Sequence, residues 1–207
     1  MKKIFFIYLS VFSFYLPSNE RQPYITEDRE PCVIHAVNRI PLFGDLHVHT
    51  ALSLDAHTQG TLNTPDDAYR YAKGQSLYLQ PYEEDGTSSR ISKLKQPLDF
   101  AAVTDHAELL GEVRLCTDPE SQKYNSLQCK TYRNFPKLSY FYMNAKASMR
   151  RPLGICGENR ENCLDAAQVP WQETIDAAEQ HYDRSEACQF TTFVGYEWTG
   201  AAYSGNN

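Results

Sequence analysis

The chain contains no Cys-x-x-Cys pair, no internal repeat and no uninterrupted apolar run of about 20 residues. The first absence disfavours a thiolate zinc site, and the last disfavours a helix that spans a bilayer. Positive charge is also short. Lys and Arg number 20 against 26 Asp and Glu, a net charge of −6, whereas general binding to nucleic acid or an anionic membrane needs a cationic surface. With 42% apolar and 22% charged residues, the composition rules out disorder, collagen and coiled coil. A length of 207 residues leaves one large or two small domains, near the lower limit for an α/β barrel.

The chain opens with Lys2 and Lys3, followed by an apolar run from Ile4 to Leu16. That pattern reads as a secretory leader over 1–18, with Pro17-Ser18-Asn19 as the exit and no stable membrane association after cleavage. Residues 19–41 read as a polar, proline-bearing arm. Six cysteines agree with an oxidising compartment, periplasmic or secreted. Six allow 15 pairings. Local spacing favours Cys116–Cys129 and Cys156–Cys163, with Cys32 and Cys188 left over to pair or stay free.

From 42 onward the pattern is that of an α/β domain. Leu42 to His49 alternates, placing Phe43, Asp45, His47 and His49 on one face of a strand and Leu42, Gly44, Leu46 and Val48 on the other. Thr64-Pro65-Asp66-Asp67 starts a helix that runs to Gly74: a cap, a proline in the first turn and two acids at the positive end of the dipole. Gln80 to Gln96 reads as a charged loop or hairpin in which Arg90, Lys93 and Lys95 are solvated rather than set to meet an anion. Leu98 to Thr104 reads as a short buried strand and Ala107 to Leu115 as a helix. Residues 116–169 read as an irregular, disulfide-rich insertion. Pro170 is expected to open a helix to about Tyr182, and Phe190 to Trp198 to form a third buried strand. Strand and helix alternating in this order describe a parallel sheet, whose site lies at the carboxyl ends of the strands.

The chemically loaded residues fall at those ends. Histidines two apart on a strand point the same way with Cα atoms roughly 6.5–7 Å apart, a span that one metal ion bridges. Asp45 shares their face, to orient an imidazole or serve the backbone. Thr104-Asp105-His106 ends the second strand and Gly195-Tyr196-Glu197 the third. A carboxylate in an apolar strand is costly unless paired or metal-bound.

Phe43-Gly44-Asp45-Leu46-His47-Val48-His49-Thr50-Ala51-Leu52-Ser53-Leu54-Asp55 resembles the first motif of the PHP (polymerase and histidinol phosphatase) superfamily, and Val103-Thr104-Asp105-His106 its second. Asn63 to Arg70, Pro97 to Phe100 with the Ala-Val-Thr-Asp-His-Ala-Glu stretch after it, and Phe193 to Thr199 are similar to the DUF3604 family, a PHP-like group of exported proteins. The resemblance covers about 42–115 and 165–207. It implies a distorted (βα)7 barrel carrying two or three metal ions and hydrolysing phosphoesters. By position it implies that His47 and His49 bind one ion, that Glu197 bridges to a neighbour, that His106 binds a second and that Asp55 is a further ligand. His57 and His181 match no ligand position and read as surface or packing residues. Members of the family are usually longer and carry further His and Asp ligands. This chain is therefore expected to be a front portion, a partial barrel truncated after about the third or fourth strand.

The expected activity is metal-dependent hydrolysis of a small-molecule phosphoester, with Asp105 or Glu108 positioning water or the leaving group. Imidazole and carboxylate ligands suit Zn²⁺, Mn²⁺ or Fe²⁺ better than Ca²⁺. An amidohydrolase-type barrel also opens with His-x-His. From another class, the chain could be an exported metal-binding or partner-binding module without catalysis, or a disulfide-stapled domain whose histidines are incidental.

Overall fold

The computed structural model describes residues 31–33, 39–149 and 151–199. The leader over 1–18 and most of the arm over 19–41 lie outside them. Five strands, β1 (Gly44–Val48), β2 (Leu77–Tyr78), β3 (Ile91–Ser92), β4 (Phe100–Val103) and β5 (Thr191–Val194), are combined with six α-helices among the described residues. The helices are α1 (Leu54–Thr58), α2 (Pro65–Ala72), α3 (Leu110–Thr117), α4 (Leu127–Asn134), α5 (Pro136–Ser148) and α6 (Glu161–His181).

The fold is mixed α/β, with a parallel sheet in the order β1-β4-β5. The charged stretch over 80–96 overlaps a hairpin that runs from β2 to β3, whose strands pair antiparallel. Helix α2 starts as its sequence dictates: Thr64 and Asp67 exchange both capping-box hydrogen bonds, with Pro65 in the first turn. On its inner face Tyr69 is fully buried. Its hydroxyl accepts from the Val103 N–H and donates to the Phe193 carbonyl, tying β4 to β5 just before the loaded strand ends.

Strand β4 is central, and Ala101, Ala102 and Val103 are buried. Strand β5 is at the sheet's edge, so the third strand is present but not buried as expected: Phe193 is 48% exposed. On β1 the apolar face is likewise open, with Leu46 56% exposed.

Residues 116–169 are not the irregular insertion that their sequence suggests. They form α4, α5 and the first turns of α6, with Cys116, Cys129, Tyr132, Met143, Ile155 and Cys163 in one buried cluster. The helical pattern of α5 is hidden because Ser139 is buried while Phe141 and Leu138 face outward. Nor does Pro170 open a helix. It lies inside α6, where its missing N–H costs one helical hydrogen bond. Tertiary contacts carry the helix past it, with Cys163 and Thr174 buried on either side.

One contact is tight. A methyl on Gly111 in α3 would lie 1.8 Å from the Cys163 carbonyl oxygen in α6. Gly111→Ala is expected to push the helices apart and cost about 1–3 kcal/mol. The denaturant midpoint should fall at unchanged slope; an unchanged midpoint would argue against this close crossing.

The cysteines pair as Cys32–Cys188, Cys116–Cys129 and Cys156–Cys163. Both local pairs match the spacing argument, and the two remaining cysteines join each other. Three disulfides fit an oxidising environment. Among the described residues no helix is long and apolar enough to cross a membrane.

Candidate metal centre

The sheet's parallel pairing continues past the strands. The Glu197 N–H donates to the Asp105 carbonyl and the Ala107 N–H to the Glu197 carbonyl, a bridge that sets His106 beside Glu197. From the other edge, β1 delivers its imidazoles through an irregularity. Asp45 pairs with Ala101 and Val48 with Val103, so β1 carries one extra residue, a bulge of the kind that re-aims side chains. Asp45 accepts from the His47 N–H at 2.9 Å within this bulge, so it serves the backbone rather than an imidazole.

Five sequence-predicted residues converge. Glu197 Oε2 lies 2.7 Å from His47 Nε2 and 2.9 Å from His49 Nε2, while its Oε1 is 3.9 Å from His106 Nδ1. His49 Nδ1 is 2.8 Å from Asp55 Oδ2, and His106 Nε2 is 3.7 Å from that same oxygen. The imidazole rings of His47, His49 and His106 follow one another at centroid spacings of 4.9 and 4.8 Å. His47 is the open end, its side chain 71% exposed against 14% for His49.

The electrostatics follow from these contacts. Burial alone pushes the His49 imidazole down. The hydrogen bonds and charges of Asp55 and Glu197 outweigh it, so its pKa lies above the usual value. Desolvation works against Asp55, yet Ser53, His49 and the Ala56 N–H hold its carboxyl below the ordinary range. Glu197 is also lowered: desolvation, the largest single effect, works against this, but the His49 hydrogen bond and the charges of His106, His49 and His47 together outweigh it.

Two sets of side chains have ligand atoms within 4.8 Å of one another in each set: His47, His49 and Glu197, and His49, Asp55 and His106. His49 belongs to both. A neutral imidazole has one lone pair, so it serves one ion at a time. With His49 given to the first set, Asp55 and His106 face the second position, with Glu197 between the two. A third set, Glu112 with Cys156 and Cys163, is no metal site, because its two sulfurs form a disulfide.

Asp105 and Glu108 occupy different environments. Asp105 is buried, and its oxygens accept from the Thr50 N–H and hydroxyl at 2.5 and 2.7 Å. Its carboxylate fastens the chain after β1 to the end of β4. Asp105→Asn is expected to cost about 1–3 kcal/mol by leaving one buried donor poorly served. Equal unfolding free energies would show that Thr50 finds another acceptor. Glu108 does face the centre, its Oε1 3.5 Å from His106 Nδ1. Its Oε2 is buried without a hydrogen-bond partner among the described residues.

His57 and His181 are packing residues. Nδ1 of His57 is 2.8 Å from the Tyr132 hydroxyl, and His181 is buried against Asp66 at 2.8 Å. Arg90 donates to the Gln80 carbonyl within the hairpin.

Three hydroxyls that no motif argument singles out complete the site. Ser53, fully buried, donates to Asp55 Oδ1 and accepts from the His106 N–H. It sits at the N-cap of α1 without capping it, because its hydroxyl is committed to the carboxylate. Thr50 holds Asp105. Thr199 Oγ1 lies 3.0 Å from His106 Nδ1; when that nitrogen carries the proton, the Nε2 lone pair is left facing Asp55. A small hydroxyl residue two positions before an acid at a helix start is the one sequence signal that could have marked Ser53.

A family model described as "Protein of unknown function (DUF3604)" matches residues 36–207. No curated protein and no solved structure matches the chain significantly.

Proposed function

The chain belongs to the DUF3604 family, and we propose that it is a metal-dependent hydrolase of phosphoesters acting in the periplasm or outside the cell. The observation that carries this reading is the position of Glu197, one carboxylate between the His47–His49 pair and His106. Its companion on fold is that the three parallel strands belong to a PHP-like distorted (βα)7 barrel. Two features support that: the site lies at the carboxyl ends of the strands, and both edge strands expose apolar side chains.

A set of imidazoles and carboxylates suits Zn²⁺, Mn²⁺ or Fe²⁺. His47, His49 and Glu197 would hold one ion, and Asp55 and His106 a neighbour. Such ions supply Lewis acidity toward a phosphoryl oxygen and acidify water. The chain's own groups do the rest. Ser53 fixes Asp55 and the His106 backbone together, Thr199 sets the His106 ring, and Asp105 holds the loop that carries Thr50. Glu108, its Oε1 3.5 Å from His106 Nδ1, is placed to hold the proton that a departing alcohol takes up.

The full chain, loaded with Zn²⁺ or Mn²⁺, should hydrolyse 4-nitrophenyl phosphate or bis(4-nitrophenyl) phosphate. The activity should vanish with chelator and return with metal. Cleavage of an amide but neither ester would replace this reading with an amidohydrolase. Tight metal binding with no turnover would replace it with a metal-binding module.

A further inference from the structure

Glu108 and Thr199 touch His106 and also form one end of a separate cavity of about 410 Å³. The other walls come from the end of α5 and from the stretch between α5 and α6. They contribute Lys146, Arg151 and Arg160, with Trp198 from the segment after β5. The three cations are not equally committed. Arg160 donates to the Glu108 carbonyl at 3.2 Å and to the Glu112 carboxylate at 3.3 Å, which offsets the acid lining that wall. Lys146 and Arg151 form no ion pair among the described residues, and the Lys146 ammonium lies 5.9 Å over the Tyr142 ring. With Arg160 set against Glu112, the lining keeps Lys146 and Arg151 against the single carboxylate of Glu108, an excess of positive charge in a chain of net charge −6, in a cavity that shares Glu108 and Thr199 with the surroundings of His106. Trp198, 66% exposed, offers a flat apolar face at the same cavity, suited to a planar group.

We infer that this cavity receives the alcohol portion of the phosphoester and that Lys146 and Arg151 select an alcohol carrying a second anionic group, carboxylate or phosphate. The inference rests on the hydrolase reading, because the phosphoester itself would sit at the imidazoles. The end of α5 and the stretch between α5 and α6 then define which substrate the centre accepts. Guanidinium and ammonium groups give this selectivity its strength, since their hydrogen bonds to anions are charge-assisted.

Non-hydrolysable probes test it on the full chain, with and without added metal. Phenylphosphonate, 4-carboxyphenylphosphonate and 1,4-benzenediphosphonate are titrated calorimetrically. With metal, at least one doubly anionic probe should bind about tenfold tighter than phenylphosphonate, and the better of the two identifies the second group. The preference should fall to near unity in Lys146→Gln/Arg151→Gln and survive in Arg151→Lys; thermal midpoints check that both variants fold. Equal affinity for all three probes, or a preference that persists in the double variant, overturns the inference. Failure of the hydrolase reading looks different: no ester is turned over, yet the preference for the doubly anionic probe remains.

Discussion

Glu197→Ala should lower metal affinity about 100-fold or more and abolish any metal-dependent turnover. Replacing a partner that only orients a ligand already costs about 10–100-fold, and Glu197 is positioned as a ligand itself. Its two oxygens reach three imidazoles, so its loss dismantles the first set and opens the gap to the second. His47→Ala should be milder. His47 lies at the open end, and the set of His49, Asp55 and His106 survives its removal. The fold should tolerate both changes. Glu197 is held in place by backbone hydrogen bonds to Asp105 and Ala107, which an alanine keeps. Calorimetric titration with Zn²⁺ or Mn²⁺, together with thermal unfolding, separates the cases. Wild-type affinity in Glu197→Ala at an unchanged midpoint would mean that the carboxylate has no part in binding cations.

The candidate ligand set is legible in the sequence because each piece is local. His47 and His49 are two apart on an alternating strand, and His106 and Glu197 each follow a short apolar run. Parallel strands must then bring those ends together. What escapes the sequence depends on atoms far apart in the chain. The extra residue in β1 is visible only as a register change against β4. The roles of Ser53 and Thr50 depend on Asp55 and on the end of β4, and that of Thr199 on His106. The sequence also places Asp105 among groups that handle water, because neighbouring residues in a motif look equally available. In the fold, alternate residues at the end of β4 point to opposite sides. His106 faces the centre while Asp105 is buried against Thr50. Residues 116–169 mislead for another reason. Their helices bury cystines and small polar groups and expose Phe141 and Leu138, so the usual apolar stripe is scrambled. Pro170 reads as a helix start because local propensity favours it there, whereas the buried contacts of α6 on both sides of it decide the outcome.

Opening the Cys32–Cys188 disulfide should cost the largest share of stability of any of the three bridges. The two residues are 156 apart in sequence, against 13 for Cys116–Cys129 and 7 for Cys156–Cys163. In the chain-entropy account, closing such loops is worth about 5, 3 and 2.5 kcal/mol respectively, because a longer loop removes more freedom from the unfolded chain. Burial does not reverse the order at this bridge. Cys32 and Cys188 are both only partly covered, so replacing them with serine gives up little packing. Cys116 and Cys163, by contrast, lie in the core, and their replacement would mix loop entropy with a cavity cost. Cys32→Ser/Cys188→Ser is therefore the cleaner measurement: a fall of about 5 kcal/mol in guanidinium unfolding, with the effect on the unfolded rather than the folded state. The native position of β5 should persist, since Tyr69 and the β4 ladder still hold it. Metal affinity should then remain near that of the parent protein. A loss below about 1 kcal/mol would show that the unfolded chain is already restricted between these two points. A large fall in metal affinity would show instead that the bridge, through the turn that leads from α6 into β5, holds Glu197 in its place.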